Sequence, residues 1–178
     1  TLLASSAASD VYKRQVEAQW RTMEKSGQWR FTPPTHVVAA FLVALEMHTA
    51  EGGVEGRGAR YSTNRDIMVA GMRDLGFETL LDDRWLSPII VTFFCPADPK
   101  FEFAKFYDQM KNSGYIIYPG KLTVVDSFRI GCIGHMDALV MEGVVSAAKE
   151  ALAFMEVNDA APPMSALMER ERLSNIEI

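Results

Sequence analysis

The fold of this chain is decided by the stretch Gly114-Tyr-Ile-Ile-Tyr-Pro-Gly-Lys121, which is followed closely by Asp126-Ser-Phe-Arg-Ile-Gly-Cys-Ile-Gly134. Both runs are rich in the branched and aromatic residues that strands favour, and Pro-Gly between them is a turn signal. The pattern predicts strands over 115–118 and 127–133 that are joined through Pro119 and Gly120. It also places one arginine, Arg129, in the middle of the second strand.

Working outward from this pair, the run Ser87–Cys95 predicts a third strand that is buried on both faces. Apolar residues elsewhere recur at three- and four-residue steps, which is typical of helices with one buried face. Helices are predicted over 16–25, 35–48, 56–75, 101–112 and 136–155. Helices packed on a small sheet make a two-layer α/β unit, and this is the predicted fold class.

The composition of the chain excludes several classes of function. With 178 residues and a net charge of −5, it is long enough for one good core and has no broad basic field for nucleic acid or acidic membranes. No apolar run approaches the length of a membrane span. Cys95 and Cys132 lie in strand-like runs and are predicted to be buried thiols, which favours a reducing cytoplasm. The three histidines show no ligand spacing, so no metal site is predicted.

The two ends of the sequence are set apart from the folded region. Residues 1–15 are interpreted as a non-native leader, because an Ala/Ser/Leu-rich stretch precedes the positive charges, the reverse of a signal peptide. The natural protein is then expected to extend upstream. Residues 158–178 are predicted to be a linker followed by a loosely held tail.

The motif Thr32-Pro33-Pro34-Thr35 has the residues of a helix start. Thr is a good N-cap, and Pro is favoured at the first helical position. Free amides and the positive end of the helix dipole make such a start suitable for binding an anion. Plain helix capping by Thr32 is the alternative reading of the same motif.

Arg129 is the second candidate for anion binding. In a strand, Phe128, Ile130 and Cys132 share one face, so Arg129 projects from the other face together with Ser127 and Gly131. A guanidinium on a rigid strand is suited to bidentate binding of a carboxylate or phosphonate. An ion pair with a structural acid such as Asp126, or simple solvation, remains open as an alternative.

Two further features are interpreted as structural. Lys121 follows a turn glycine, and such a lysine is typically solvated and does not form a Schiff base. The glycine-rich stretch 52–58 has neither a preceding strand nor a Gly-Lys-Ser/Thr ending, so it is interpreted as a joint between helices.

Several of these segments together resemble one family. The chain is similar to the 2-aminoethylphosphonate–pyruvate transaminase family of class V aminotransferases over roughly 19–154. The segments that carry the resemblance are Trp29-Arg-Phe-Thr-Pro-Pro-Thr-His-Val-Val-Ala-Ala-Phe41, Val69-Ala-Gly-Met-Arg-Asp-Leu-Gly-Phe77, Leu80-Leu-Asp-Asp83, Tyr115–Lys121 and Ser127–Gly134.

The resemblance implies a fold and a division of the chain. It implies the small C-terminal domain of the aspartate-aminotransferase-like fold, the fold type I of pyridoxal 5′-phosphate enzymes. An interdomain helical segment at 16–52, on the edge of a missing large domain, would precede this small domain at 53–157, and the tail at 158–178 would follow it.

The resemblance also implies an activity. Such enzymes use pyridoxal 5′-phosphate, work as homodimers, and transfer the amino group of 2-aminoethylphosphonate to pyruvate in phosphonate catabolism. Thr32 would bind the cofactor phosphate in the partner subunit's site, and Arg129 would bind the phosphonate and then the carboxylate of pyruvate. The Schiff-base lysine lies in the large domain of the family. No catalytic residue is therefore expected in this chain, which would be a fragment that is inactive alone.

Two other functions stay open. One is a related class V aminotransferase of the serine or alanine–glyoxylate type, which shares both anion-binding devices. The other is a non-enzymatic α/β domain that uses Arg129 to bind an organic acid.

Overall fold

The structure is a computed structural model that describes residues 2–120 and 124–175, with the backbone alone described for residues 2–10. The chain divides into two compact units, Thr1–Ala50 and Glu51–Ile178, and each is described by itself.

The first unit contains two helices, α1 (Leu2–Ser26) and α2 (Thr35–Ala50). Helix α1 ends where Gly27 adopts a φ of +67°, a conformation that favours glycine. Helix α1 therefore begins well before the predicted start at residue 16. Helix α2 has no buried residue, and its apolar side chains are exposed.

The start of α2 differs from the prediction. The first helical hydrogen bond runs from the Val38 amide to the Pro34 carbonyl at 3.0 Å, so Pro34 occupies the N-cap position predicted for Thr32. The physical reason is that a residue before proline is disfavoured in the α region. Pro33 precedes Pro34 and cannot readily be the first helical residue, which leaves Thr32 outside the helix.

The second unit is a layer of helices on a small sheet. Its elements are α3 (Gly53–Asp74), a 3₁₀ turn (Asp83–Trp85), β1 (Ile90–Phe94), α4 (Phe103–Asn112), β2 (Tyr118–Pro119), β3 (Ser127–Gly131), α5 (Ala138–Phe154) and α6 (Met164–Ser174). The predicted two-layer α/β arrangement is confirmed. Predicted helix α4 starts two residues late, because Asp98 first forms a turn in which its carbonyl accepts from the Phe101 amide.

The sheet is antiparallel, with strand order β1-β3-β2. Strand β2 is shorter than the predicted strand over 115–118, and β3 ends at Gly131 rather than residue 133. Pro119 has no amide to donate, which limits β2 to an edge position. The other edge of β1 is bonded by the chain before it, since the Leu80 amide donates to the Thr92 carbonyl at 2.9 Å.

The core lies between one face of the sheet and the helices. Four fully buried phenylalanines form its centre, with Phe128 within 5.3–5.8 Å, between ring centroids, of the other three, Phe77, Phe93 and Phe106. Aromatic rings at these separations add about 0.5–1.5 kcal/mol per pair beyond burial. Helices α3 and α5 complete the core and approach each other closely at Gly71 and Val145.

The arginines of α3 belong to the polar side of the helical pattern but do not simply face water. They are half-buried, and their guanidinium groups bond to acids and backbone carbonyls of the second unit. The residues concerned are Arg57, Arg60, Arg65 and Arg73. The partners at Asp83, Leu86, Gly134 and Met136 lie across loops, so the helical periodicity does not reveal them.

The prediction of a loosely held tail is also wrong over the described residues. Helix α6 is attached in its second half, because Arg170 pairs with Glu78 at 2.7 Å and Arg84 donates to the Ser174 carbonyl at 2.6 Å. Ala160 and Ala166 are fully buried. These contacts are with residues about ninety positions upstream, which is why composition alone indicated a free end.

Both cysteines are free and buried, as predicted. Burial raises the pKa of the Cys95 thiol to about 12 and that of Cys132 to about 11, so neither is a nucleophile at neutral pH. No single helix of the described part of the chain is long and apolar enough to span a membrane, although α2 and α3 meet the length and composition criteria as a broken pair.

Candidate anion-binding site

Arg129 occupies the centre of β3, between two core residues. Phe128 and Ile130 are buried against the helices, while Arg129 is half-buried on the opposite face of the sheet. The predicted orientation of Arg129 is therefore confirmed. Ser127, which was predicted on the same open face, is buried because the backbone of Gly120 closes over it, with its amide 2.7 Å from the Ser127 carbonyl.

The guanidinium of Arg129 has one long hydrogen bond to the described part of the chain. Its Nε donates to the Pro119 carbonyl at 3.3 Å. No acid in residues 11–120 or 124–175 forms an ion pair with it. The alternative in which Asp126 neutralises Arg129 is thus contradicted. Neither Nη group has a hydrogen-bond partner among the described residues, and this terminal edge of a guanidinium is suited to two oxygens of an anion.

Residues on the neighbouring strands flank Arg129 on the same face. Thr92 of β1 and Tyr118 of β2 are its direct partners in the two antiparallel registers. Directly opposed residues of a sheet project to the same side. On this face of the sheet, Arg129 therefore has a hydroxyl-bearing residue on each of the two neighbouring strands.

The chain leaving β3 is fixed by α3. Asn64, which is fully buried, donates to the carbonyls of Cys132 and Met136 at 3.2 and 3.0 Å. Arg60 donates to the carbonyls of Gly134 and Met136 at 2.7 Å each. Because buried backbone carbonyls need partners, these bonds hold the loop in one conformation and with it the end of the strand that carries Arg129.

Thr32 lies in the first unit and Arg129 in the second, so neither unit by itself contains both candidate residues. Thr32 is exposed, and its hydroxyl bonds to no residue of the described ranges. The amides of His36 and Val37, in the first turn of α2, likewise have no described acceptor. A free hydroxyl beside free helix-start amides can accommodate a phosphate group.

The described part of the chain supplies no lysine in a catalytic environment. Every described lysine is exposed, and Lys100 and Lys105 are paired with Glu156 and Glu102. Lys121, interpreted from the sequence as a solvated turn residue, lies outside the described residues. Nor do the described side chains include a cluster of three or more acids, histidines or cysteines that could hold a metal ion.

Sequence reasoning missed Thr92, Asn64 and Arg60. Alternation along Ile90–Phe94 could have placed Thr92 on an open face, but only the register identifies Arg129 as its neighbour. The bonds from Asn64 and Arg60 span 68–76 residues of sequence, and no local pattern indicates them.

Comparison with known proteins gives strong similarity over the whole chain, although no family model matches it. The chain is 67% identical over 173 residues to the 2-aminoethylphosphonate–pyruvate transaminase of Rhizobium meliloti. The alignment covers 97% of this chain and 45% of that protein. The chain is 60% identical over 169 residues to a similarly named protein, transaminase 1 of Paraburkholderia xenovorans, covering 95% of this chain and 42% of the relative. The predicted family resemblance is confirmed.

The chain spans less than half the length of these transaminases. Because the match to the R. meliloti protein takes in 173 of 178 residues, it extends into residues 1–15, and the non-native leader stays a prediction. The proposed division at residues 52/53 and 157/158 also stays a prediction.

Solved structures show the same fold. Pyridoxamine–pyruvate aminotransferase from Mesorhizobium loti matches with a TM-score of 0.66 at 18% identity, over 88% of this chain and 41% of its own. Ureidoglycine–glyoxylate aminotransferase from Bacillus subtilis matches with a TM-score of 0.64 at 17% identity, over 86% and 41%. These matches confirm the expected aspartate-aminotransferase-like fold for this chain.

Proposed function

We propose that this chain is the C-terminal part of a pyridoxal 5′-phosphate-dependent transaminase that transfers the amino group of 2-aminoethylphosphonate to pyruvate. The products are phosphonoacetaldehyde and L-alanine, and the reaction belongs to phosphonate catabolism. The observation that carries the proposal is an arginine fixed on a central strand whose Nη groups have no described partner. The names of relatives at 67% and 60% identity support the choice of substrates.

Arg129 serves both halves of the reaction. It binds the phosphonate of the amino donor first and the carboxylate of pyruvate second, so one fixed cation anchors both substrates in the site. Because the strand is held by its neighbours and by the helix-bound loop that follows it, the guanidinium needs little reorganisation on binding.

The residues at the start of α2 fit the phosphate of the cofactor. The free Thr32 hydroxyl and the unbonded amides of His36 and Val37 would hold that phosphate, in the site of the partner subunit of a homodimer. When bound, the cofactor supplies the electron sink for breaking the bond to the transferred hydrogen. The lysine that moves this proton, like the acid and aromatic group that hold the cofactor ring, would come from the large domain of the full-length enzyme.

The remaining parts of the proposal concern the location, the oligomeric state and the partners of the enzyme. The enzyme is a cytoplasmic homodimer that acts on two small anions, with neither nucleic acid nor a membrane as partner. The net charge of −5 supports the absence of a nucleic-acid partner.

The test uses the enzyme expressed from the complete open reading frame that encodes this chain. Alanine and phosphonoacetaldehyde should form from 2-aminoethylphosphonate and pyruvate. Arg129→Ala should lower kcat/KM for both substrates about a hundredfold or more, since a bidentate charge-assisted contact is lost. The cofactor absorbance spectrum should be unchanged. Arg172→Ala, which removes an exposed arginine paired with Glu169 on α6, is the matched control and should retain activity.

Other outcomes separate the alternatives. Turnover of serine or alanine with glyoxylate, without turnover of the phosphonate, would indicate the related class V activity. An enzyme that takes up no cofactor but binds organic acids through Arg129 would indicate the binding domain.

The role of Thr32 has a separate test. Thr32→Ala should weaken cofactor retention in a spectral titration, whereas Thr32→Ser should restore it because the hydroxyl returns. Equal retention by all three proteins would remove Thr32 from the cofactor site.

A further inference from the structure

Tyr118 is one of the two residues that lie directly opposite Arg129 in the sheet. It pairs directly with Arg129 in the antiparallel ladder of β2 and β3. The Gly120 amide bonds the Ser127 carbonyl two residues further along, so Tyr118 and Arg129 are also a hydrogen-bonded pair, with Cα atoms about 5.5 Å apart. Both side chains leave the sheet on the same face.

The guanidinium of Arg129 leans toward the strand of Tyr118. Its Nε bonds the carbonyl of Pro119, the residue after Tyr118, so the side chain crosses β2 and not β1. Thr92, on β1, lies on the far side of Arg129. An anion on the Nη groups would therefore lie closer to the tyrosine than to the threonine.

The Tyr118 side chain is available for such a contact. It is 54% exposed, whereas its neighbour Ile117 is 2% exposed and belongs to the core. Its hydroxyl bonds to nothing in the described ranges of the chain. Within the described ranges, the phenol and the two Nη groups beside it have no partner, and an anion would complete this polar pair.

The two substrates differ in the number of oxygens that this pair of residues must bind. A carboxylate is planar and has two oxygens, which the two Nη groups can satisfy. A phosphonate is tetrahedral and has three oxygens, so one remains after the same bidentate contact. Resting on the proposed function, we propose that the Tyr118 hydroxyl donates to this third oxygen and makes the site prefer phosphonate to carboxylate.

The test compares Tyr118→Phe with the wild-type holoenzyme from the complete reading frame. Losing one hydrogen bond to a charged oxygen should lower kcat/KM for 2-aminoethylphosphonate about tenfold or more, and should leave that for pyruvate within about twofold. As competitive inhibitors, ethylphosphonate should lose affinity by a similar factor and propionate should not. Tyr107→Phe, the same change on α4, is the matched control and should alter none of these values.

Each outcome has one meaning. Equal losses for both substrates, or no loss for either, would overturn the role of Tyr118 while leaving the transaminase intact. Loss of folding is checked by the thermal midpoint, and Tyr118→Trp, which keeps a ring with a donor of different reach, should then retain part of the preference for ethylphosphonate. A wild-type enzyme that does not turn over 2-aminoethylphosphonate would overturn the proposed function and this inference together.

Discussion

The two units of the chain use apolar residues in opposite ways. In the second unit, Phe93, Phe106 and Phe128 are completely buried around one core. In the first unit, Trp20 and Phe41 are 60% and 62% exposed, and α2 buries no residue at all. Apolar content alone therefore does not make a core. The second unit buries its hydrophobic side chains in a core of its own. The described hydrophobic side chains of the first unit stay exposed and form no core.

The largest effect is expected when the units are separated. Residues 51–178 expressed alone should unfold cooperatively on heating, because the core is contained within them. Residues 1–50 should show weak, gradual loss of helicity, since helices without tertiary packing are marginal in water. Circular dichroism against temperature measures both. A sharp transition in residues 1–50 would break the comparison.

The next effect concerns single phenylalanines in the two units. Phe128→Ala should lower the free energy of unfolding by about 3–5 kcal/mol, because it removes a ring at the centre of the core. Phe41→Ala in the first unit, and Phe154→Ala at an exposed site of the second, should change it by less than about 0.5 kcal/mol.

Urea unfolding of the intact chain measures all three substitutions. If Phe41→Ala were as costly as Phe128→Ala, the first unit would have a core, and the contrast between the two units would disappear.

A smaller effect separates two glycines of α3. A Cβ at Gly71 would lie 2.6 Å from a methyl carbon of Val145, where α3 meets α5, whereas a Cβ at Gly58 would meet nothing within 4 Å. Gly71→Ala should therefore destabilise by about 1–3 kcal/mol through overpacking. Gly58→Ala should stabilise by about 0.5–1 kcal/mol through helix propensity.

A double substitution sharpens this comparison. Val145→Ala removes the obstructing methyl groups, so Gly71→Ala should cost less in that background, a coupling that a double-mutant cycle measures. Strictly additive effects would show that the two helices do not meet closely at this point.

These elements also show what the sequence could reveal. Periodicity located the helices of the core, and alternation placed Phe128 inward and Arg129 outward, because both signals are local. The pairing of Arg129 with Thr92 and Tyr118 depends on strand order and register, which no local pattern contains. The candidate cation was therefore predictable, and its neighbours were not.

The same limit explains the errors at the ends of elements. The sequence predicts a loose tail because no local pattern indicates the ion pair between Arg170 and Glu78, which joins distant parts of the chain. The start of α2 is a different case. The restriction that Pro34 places on Pro33 was present in the sequence, but the preference for proline at the first helical position pointed the other way.

The smallest expected effect lies at Glu51, the first residue of the second unit. Hydrogen bonds from Arg60 and then Arg57 lower the pKa of Glu51 from 4.5 to about 2. The folded chain therefore keeps this carboxylate ionised at pH values where the unfolded chain takes up a proton. Its contribution to stability is complete above pH 4.5 and is lost as the pH falls toward 2.

Glu51→Gln tests this window. The variant should have a lower thermal midpoint than the wild type at neutral pH, and the difference should shrink steadily between pH 4.5 and about 2. Glu142→Gln, which removes an acid of α5 that forms no ion pair with described residues, should show no such convergence. A gap that stays constant over this range would contradict the prediction, because the loss would then not come from the ionisation of Glu51. Because Arg60 also holds the loop after β3, equal midpoints for Glu51→Gln and the wild type at neutral pH would mean that this arginine keeps its place through backbone carbonyls alone.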